Sequence, residues 1–171
     1  MMQSEAKPVV GEATPRPLAE LLACPAAIAD LLNVAVQHTE FASGDTVFRQ
    51  GAACRGLYVV ASGRLQRRAE RLQARVVLGS VQAGELVELA AALGAGQHTY
   101  TLVTQSPATL MMLPMDSLHQ AFDRYPPLRM QLLEELAREV SRAYVSCRAT
   151  RNAGMRRKMT KLSVTQNTQI S

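Results

Sequence analysis

Short apolar runs separated by glycines dominate the middle of the chain. Thr46–Phe48 and Leu57–Ala61 are rich in β-branched or aromatic residues and are too short for helices. They alternate with Gly44, Gly51 and Gly63, which can adopt positive φ at tight corners because they carry no Cβ atom. This pattern predicts an antiparallel β unit made of short strands and tight turns.

The strand-like pattern extends over residues 36–113. The segment Val87–Leu93 interrupts it, and its alanine-rich part, Leu89–Leu93, predicts one short helix in place of a strand, because alanine has the highest helix propensity. Residues 94–98 follow as a glycine-rich loop. Further predicted strands are the hairpin arms Arg64–Arg68 and Arg75–Val81, joined across Ala69–Ala74, and the closing strands Tyr100–Thr104 and Ala108–Leu113.

Helical periodicity flanks the β unit on both sides. Apolar residues recur at helical spacing from Leu18 to about Asn33, and Pro25 divides them into two short helices. A short helix is predicted over Met115–Phe122. A long helix is predicted from Pro127 to about Arg151, with proline in its first turn.

One apolar stripe follows the predicted long helix. Its steps of 3, 4, 3, 4 and 3 residues match the a and d positions of a heptad repeat, which favours a parallel homodimer. Packing of the helix on its own domain would produce the same stripe. The predicted interface residues are Met130, Leu133, Ala137, Val140, Tyr144 and Cys147.

Five arginines crowd the predicted hairpin. They form either an anion- or partner-binding edge or a set of edge-strand charges that block aggregation. We favour the second interpretation. The five are Arg64, Arg67, Arg68, Arg71 and Arg75.

Length and composition limit the class of protein. With 171 residues, the chain has room for one domain with extensions. It lacks the ~20 consecutive apolar residues of a membrane span, and its N-terminus lacks the apolar region of a secretory signal. The three scattered cysteines fit a reducing compartment, so we expect a cytoplasmic protein. Cys24, within the first helical segment, is expected to be a buried structural thiol.

The positive charge is concentrated at the C-terminus. Residues 148–171 contain six basic residues and no acidic ones, whereas residues 1–147 contain 13 basic and 14 acidic residues. Such a tail either makes weak nucleic-acid contacts by neutralising phosphates or is a solvated, disordered end. The basic residues are Arg148, Arg151, Arg156, Arg157, Lys158 and Lys161.

We therefore divide the chain into four predicted parts. Residues 1–16 are expected to be disordered, and residues 17–125 to form the β unit with its N-terminal helices and the short inserted helix. The dimerisation helix is expected over residues 126–151, and a basic, disordered tail over residues 152–171.

Several motifs together resemble a known family. Gly44-Asp45, the Leu57–Val60 run, Ser62-Gly63-Arg64, the turn at Ala83–Val87 and Tyr125–Leu128 before a long helix are similar to the effector domain of Crp/Fnr bacterial regulators. The likeness covers about residues 36–151. It implies a mainly β fold, a double-stranded β-helix (jelly roll) of eight strands like that of cyclic-nucleotide-binding domains. It also implies dimerisation through the long helix and a regulatory, non-enzymatic function.

The resemblance also implies a phosphate-binding cassette. In nucleotide-binding relatives, a Gly-Glu pair contacts the ribose, and an Arg followed by a small hydroxyl residue holds the phosphate. Here Val87-Glu88 and His98-Thr99 stand at these positions. The candidate ligand-binding residues are therefore Gly84, Glu85, Val87, Glu88, Gln97, His98 and Thr99.

The histidine at the arginine position weakens the case for cAMP. Histidine lacks the fixed bidentate fork of arginine, and losing a charge-assisted contact costs about 1.5–3 kcal/mol. Tight cAMP binding is therefore not expected. The alternatives are another ligand, cyclic-nucleotide-like or unknown, or a degenerate module that only dimerises.

Other cofactors are not expected. An iron–sulfur cluster of the Fnr kind needs four thiolates, and only Cys24 lies near the N-terminus. His38, His98 and His119 are each interpreted as lone surface histidines, so neither haem nor another metal site is predicted. A cupin-like metalloenzyme is the enzyme alternative, but it needs converging histidines, commonly as an H-x-H pair. A scaffold protein without a ligand is the other alternative.

The DNA-reading domain of the family is not expected in this sequence. A winged helix-turn-helix normally follows the long helix and needs about 60 residues, whereas residues 152–171 follow Arg151 here. Residues 159–171 show no amphipathic helix pair.

Overall fold

The computed structural model describes residues 17–71 and 74–142. Within these ranges the chain forms two four-stranded antiparallel sheets, ordered β1-β8-β3-β6 and β2-β7-β4-β5, with helices around them. This confirms the predicted mainly β, jelly-roll fold class. The strands are β1 Gln37–Phe41, β2 Thr46–Phe48, β3 Gly56–Ser62, β4 Arg64–Arg71, β5 Ala74–Gln82, β6 Leu86–Val87, β7 Thr101–Thr104 and β8 Ala108–Pro114.

Apolar side chains from both sheets form the core. Phe48, Leu65 and Leu102 from one sheet belong to the same buried cluster as Val60 and Leu110 from the other. Burying a side chain of this size stabilises the fold by about 1.5–3 kcal/mol. The short strands are thus held together by packing between the sheets as well as by their hydrogen bonds.

Helices precede the first strand and follow the last strand of the roll in the sequence, as predicted. The first two are α1 (Leu18–Leu21) and α2 (Ala26–Ala35), and Pro25 separates them as the N-cap of α2. The next helix, α3 (Met115–Arg124), buries Leu118 and packs against α2. Cys24, between α1 and α2, is buried, as predicted.

The short helix predicted from alanine-rich Leu89–Leu93 is confirmed, because Leu89 and Ala90 are helical and a π-helix follows over Ala91–Ala95. Leu86 and Val87 precede it as strand β6 and pair with Val59 and Tyr58 of β3. Glu88 turns the chain between the strand and the helix with a φ of 70°. Alanine content indicated the helix but could not indicate strand β6, because this strand is defined by its pairing with the distant strand β3.

The interpretation of the hairpin arginines as edge charges is wrong for most of them. Strand β4, which carries Arg64, Arg67 and Arg68, lies between β7 and β5 and is therefore an interior strand. The Arg67 guanidinium lies 5.6 Å from the centroid of the Tyr100 ring. The outer strand of this hairpin is β5, which lies at one edge of the sheet. It exposes the apolar side chains Val76, Val77 and Leu78.

The long helix, α4, covers residues 127–142 of the described chain. Its predicted interface residues Met130, Leu133, Ala137 and Val140 are all exposed. Tyr144, Cys147, the predicted disordered N-terminus and the basic tail with its six cationic residues lie outside the described residues. The predicted division of the chain into four parts stays a prediction. Among the described helices, none is long and apolar enough to cross a membrane.

The three corner glycines adopt the conformation that the sequence predicts. Gly44, Gly51 and Gly63 have φ values of 89°, 84° and 92°. A Cβ atom on Gly63 would lie 2.5 Å from the Pro107 carbonyl oxygen, whereas a Cβ on Gly44 would have nothing within 4 Å. Comparing alanine substitutions at Gly44 and Gly63 therefore separates the cost of backbone strain from the cost of a steric clash.

We expect Gly44→Ala to lower the free energy of unfolding by about 1–2 kcal/mol, the cost of left-handed backbone at a residue with a Cβ. Gly63→Ala should lower it at least twice as much, because it adds a clash with backbone atoms at the start of β8. Urea unfolding of both variants measures the difference. Equal destabilisation would contradict the packing described at Gly63.

Candidate ligand-binding site

Two loops are clamped together by backbone hydrogen bonds beside the second sheet. The Gly51 N–H donates to the His98 carbonyl at 2.8 Å, and the His98 N–H donates to the Ala52 carbonyl at 2.8 Å. The Cys54 N–H donates to the Gly96 carbonyl at 2.9 Å. Cys54 and His98, far apart in the sequence, therefore lie close together.

Glu88 enters this region from strand β6. Its left-handed φ of 70° is unusual for a residue with a side chain and costs about 1–2 kcal/mol. The Glu88 N–H donates to the Tyr100 hydroxyl at 3.2 Å, and the Glu88 carbonyl accepts the Ala92 N–H at 2.9 Å. These bonds fix the turn, and only 1% of Glu88 is exposed.

The buried Glu88 carboxylate is held by its two sequence-predicted cassette partners. Oε2 lies 2.9 Å from His98 Nδ1, and Oε1 accepts the Thr99 hydroxyl at 3.0 Å. The Thr99 N–H lies 3.3 Å from both carboxylate oxygens. A buried carboxylate is tolerated only when such hydrogen bonds replace water, so Glu88, His98 and Thr99 act as one unit.

His98 is buried, and its interpretation as a surface histidine is wrong. Its ring stacks on Phe48 with centroids 3.8 Å apart and an angle of 6° between the planes. Tyr58 contacts the same ring at 6.0 Å between centroids. Nothing near His98 in the sequence indicates this stack, since both aromatic rings come from distant strands. His38 and His119 are exposed, as predicted.

Cys54 is the residue that the sequence analysis missed. Its Sγ donates to the Gly56 carbonyl at 3.1 Å, and burial raises the pKa of this thiol, with a further contribution from nearby Glu88. The potential ligand atoms of Cys54, Glu88 and His98 all lie within 4.8 Å of one another. Only the fold reveals this group, because no local motif links these positions.

The remaining predicted residues lie outside this group or serve the fold. Glu85 is exposed, and its Oε2 accepts the Gln82 N–H at 2.6 Å, so it closes the β5–β6 turn with Gly84, whose φ is 88°. Val87 is fully buried in the core. Gln97 is exposed and pairs with the backbone of the Cys54 loop. The structure thus brings together Glu88, His98 and Thr99 from the predicted set.

Comparison with known families decides the identity of this roll. The cyclic nucleotide-binding domain family matches residues 38–125, which is just over half of the chain. The chain belongs to this family. The matched range includes the three-residue unit of Glu88, His98 and Thr99 and the clamp around Cys54. No curated protein matches the chain.

Solved structures with a similar fold include transcription regulators of the Crp/Fnr type. The catabolite activator protein of Thermus thermophilus is 24% identical, with a TM-score of 0.65 over 77% of this chain and 61% of that one. The sensor domain of the regulator DNR from Pseudomonas aeruginosa is 18% identical, with a TM-score of 0.63 over 74% of this chain and 85% of that one. These values show the shared fold.

A third similar structure is that of a ligand-responsive regulator. The c-di-GMP-responsive global regulator CLP of Xanthomonas campestris is 22% identical, with a TM-score of 0.59 over 71% of this chain. The present chain spans 60% of that protein. It therefore corresponds to a part of the Thermus and Xanthomonas regulators.

We expect Glu88→Ala to lower the free energy of unfolding by about 1–3 kcal/mol, because buried His98 and the partly buried donors of Thr99 lose their hydrogen-bond partner. Glu88→Gly is the matched variant. It removes the same carboxylate but relieves the left-handed strain, so it should be about 1–2 kcal/mol more stable than the alanine variant. Chemical denaturation of the three proteins measures both differences. An alanine variant as stable as the wild type would show that the network contributes nothing.

Proposed function

We propose that this chain is a regulatory effector domain that binds a small anionic ligand at Glu88, His98 and Thr99. Membership in the cyclic nucleotide-binding domain family supports this function class. In this proposal the domain is not an enzyme. Its role is to couple ligand binding to self-association through helix α4, as part of transcription regulation of the Crp/Fnr type.

The arrangement around Thr99 carries the proposal. Thr99 directs a hydroxyl and a backbone N–H at the same carboxylate, which is how a protein holds an anionic oxygen. In this structure the Glu88 carboxylate accepts both donors. A phosphate oxygen of a ligand would exchange with this carboxylate, and the freed Glu88 would then accept a hydrogen bond from a ligand hydroxyl.

This exchange weakens ligand binding, and it also couples ligand binding to a change in the protein's conformation. The ligand must first displace hydrogen bonds that each contribute about 0.5–1.5 kcal/mol, more where a charge takes part. Glu88 lies at the junction of β6 and the π-helix, so its release would free the strained turn at φ 70°. In this proposal, relaxation of the strained turn on ligand binding produces the conformational response.

The site residues indicate the chemical class of the ligand but not the particular compound. His98 offers no guanidinium fork to a cyclic phosphate, which disfavours tight cAMP binding. The similarity in fold to a c-di-GMP-responsive regulator makes a cyclic dinucleotide a second anionic ligand to test. A module that dimerises without any ligand is the alternative function.

We expect a cyclic mono- or dinucleotide to raise the Tm of the full chain when cAMP, cGMP and c-di-GMP are tested with a metal chelator present. Thr99→Val should weaken that binding about ten-fold, equivalent to about 1.4 kcal/mol, because it removes one donor to the anion. Thr39→Val, at an exposed position on strand β1, should leave it unchanged.

Calorimetric titration gives the affinities. If no nucleotide stabilises the protein at millimolar concentration, the alternative of a ligand-free dimerisation module is favoured. Equal effects of both threonine variants would place the ligand elsewhere on the roll.

We further propose that helix α4 forms a homodimer seam. Met130 and Val140 are 58% and 60% exposed, and Leu133 is 37% exposed. These residues share the a and d positions of one heptad register, and a matching stripe from a second copy would cover them. Two arginines of α4 instead form ion pairs within the helix, since Arg138 and Arg142 both pair with Glu135 at 2.9 Å.

For the dimer, sedimentation at micromolar concentration should give about twice the chain mass. Val140→Glu should convert it to a monomer, because two carboxylates would be buried against each other at the seam. Ser141→Glu adds the same charge at the neighbouring exposed position, which lies off the stripe, and should remain dimeric. A monomeric wild-type chain would overturn the proposal.

A further inference from the structure

Three side chains with metal-binding chemistry converge beside the π-helix. Cys54 offers a thiol, Glu88 a carboxylate and His98 an imidazole, with their ligand atoms within 4.8 Å of one another. Glu88 and His98 are 1% and 4% exposed, and Cys54 is half-buried at the rim. The proposed anion site uses Glu88 and His98 but gives no role to Cys54.

We propose that Cys54, Glu88 and His98 bind one divalent transition-metal ion of the zinc class. Zinc bonds to sulfur, nitrogen and oxygen are about 2.0–2.3 Å long, so a tetrahedral ion separates its ligand atoms by roughly 3.3–3.8 Å. In the structure, Nδ1 and Oε2 are 2.9 Å apart, and the ligand atoms of the three residues all lie within 4.8 Å of one another.

Each ligand atom has a defined change to make. The ion takes the place of the hydrogen between His98 Nδ1 and Glu88 Oε2, so His98 binds as the neutral tautomer that carries its proton on Nε2, and any further proton of the pair is released to solvent. The Cys54 thiol leaves the Gly56 carbonyl, loses its proton to solvent and binds as thiolate, as coordinated cysteines do. Three protein ligands leave a fourth position for water or a small ligand.

The surroundings already orient two of the three ligands. The Thr99 hydroxyl donates to Glu88 Oε1, and Phe48 stacks on the His98 ring. Partners of this kind set ligand orientation in metal sites, and their loss typically reduces metal affinity 10–100-fold. A thiolate with an imidazole selects zinc or cobalt over magnesium, which prefers six oxygen ligands.

Titration of the reduced, metal-free full chain with Co²⁺ tests the site. We expect one equivalent to bind and to produce the near-ultraviolet charge-transfer absorption of a cobalt–thiolate bond, which Zn²⁺ then displaces. Cys54→Ser and His98→Gln should each weaken binding at least 100-fold. A double variant, Cys24→Ser with Cys147→Ser, leaves Cys54 as the one thiol and should bind like the wild type.

A second readout needs no variant. Stoichiometric Zn²⁺ should slow alkylation of Cys54, mapped by mass spectrometry, at least ten-fold, and Mg²⁺ should have no effect. His119→Gln serves as the control for an exposed histidine and should keep full affinity. Absence of one-to-one Co²⁺ binding, or alkylation of Cys54 that Zn²⁺ does not change, would overturn the proposal.

The metal site shares Glu88 and His98 with the proposed anion site, but the two proposals are tested separately. Nucleotide binding is measured with chelator present, so a failed nucleotide titration does not affect the metal result. Cys54→Ser removes a metal ligand but none of the proposed anion donors, so its Co²⁺ titration tests the metal site and not the anion site. A Cys54→Ser variant that still binds Co²⁺ with wild-type affinity and charge transfer would overturn the metal site alone.

Discussion

The hydrogen-bonded burial of one carboxylate is the constraint on which the candidate site depends. Glu88 is 1% exposed, and an ionised group there would be very costly without partners. His98 and Thr99 supply those partners, and the left-handed turn at Glu88 brings the carboxylate to them. Strand β6, the π-helix and the loop clamp around His98 are consequently fixed relative to one another.

The same carboxylate links the site to the core of the roll. The hydroxyl of Tyr100 accepts the Glu88 N–H, and the Tyr100 ring belongs to the buried cluster between the sheets, with the Arg67 guanidinium 5.6 Å from its centroid. Phe48 joins that cluster and also stacks on His98. A change at Glu88 would therefore affect residues that hold the two sheets together.

Much of the fold could be predicted from the sequence because its determinants are local. Glycine corners, β-branched runs and Pro25 each act on their own neighbours, so the strands and the first helices are found close to their predicted places. The cassette region was harder. Val87 begins the segment in which a short helix was predicted. It is nevertheless a strand residue, because it pairs with Tyr58, which is distant in the sequence.

The residues of the candidate site likewise include some that the sequence indicated and some that only the fold reveals. Glu88, His98 and Thr99 were identified through family resemblance, whereas Cys54 was not, since its proximity depends on a backbone clamp between distant loops. The burial of His98 was missed for the same reason. Residue type alone does not distinguish an exposed histidine from one stacked on Phe48.

Amide hydrogen exchange at Thr99 tests the central claim most directly. If the Glu88 carboxylate accepts the Thr99 N–H, this amide should exchange slowly in the wild-type protein and at least ten-fold faster in Glu88→Ala. The His98 N–H, which donates to the Ala52 carbonyl, is the internal control and should remain protected in both proteins. Exchange at Thr99 that is equally fast with and without Glu88 would contradict the account.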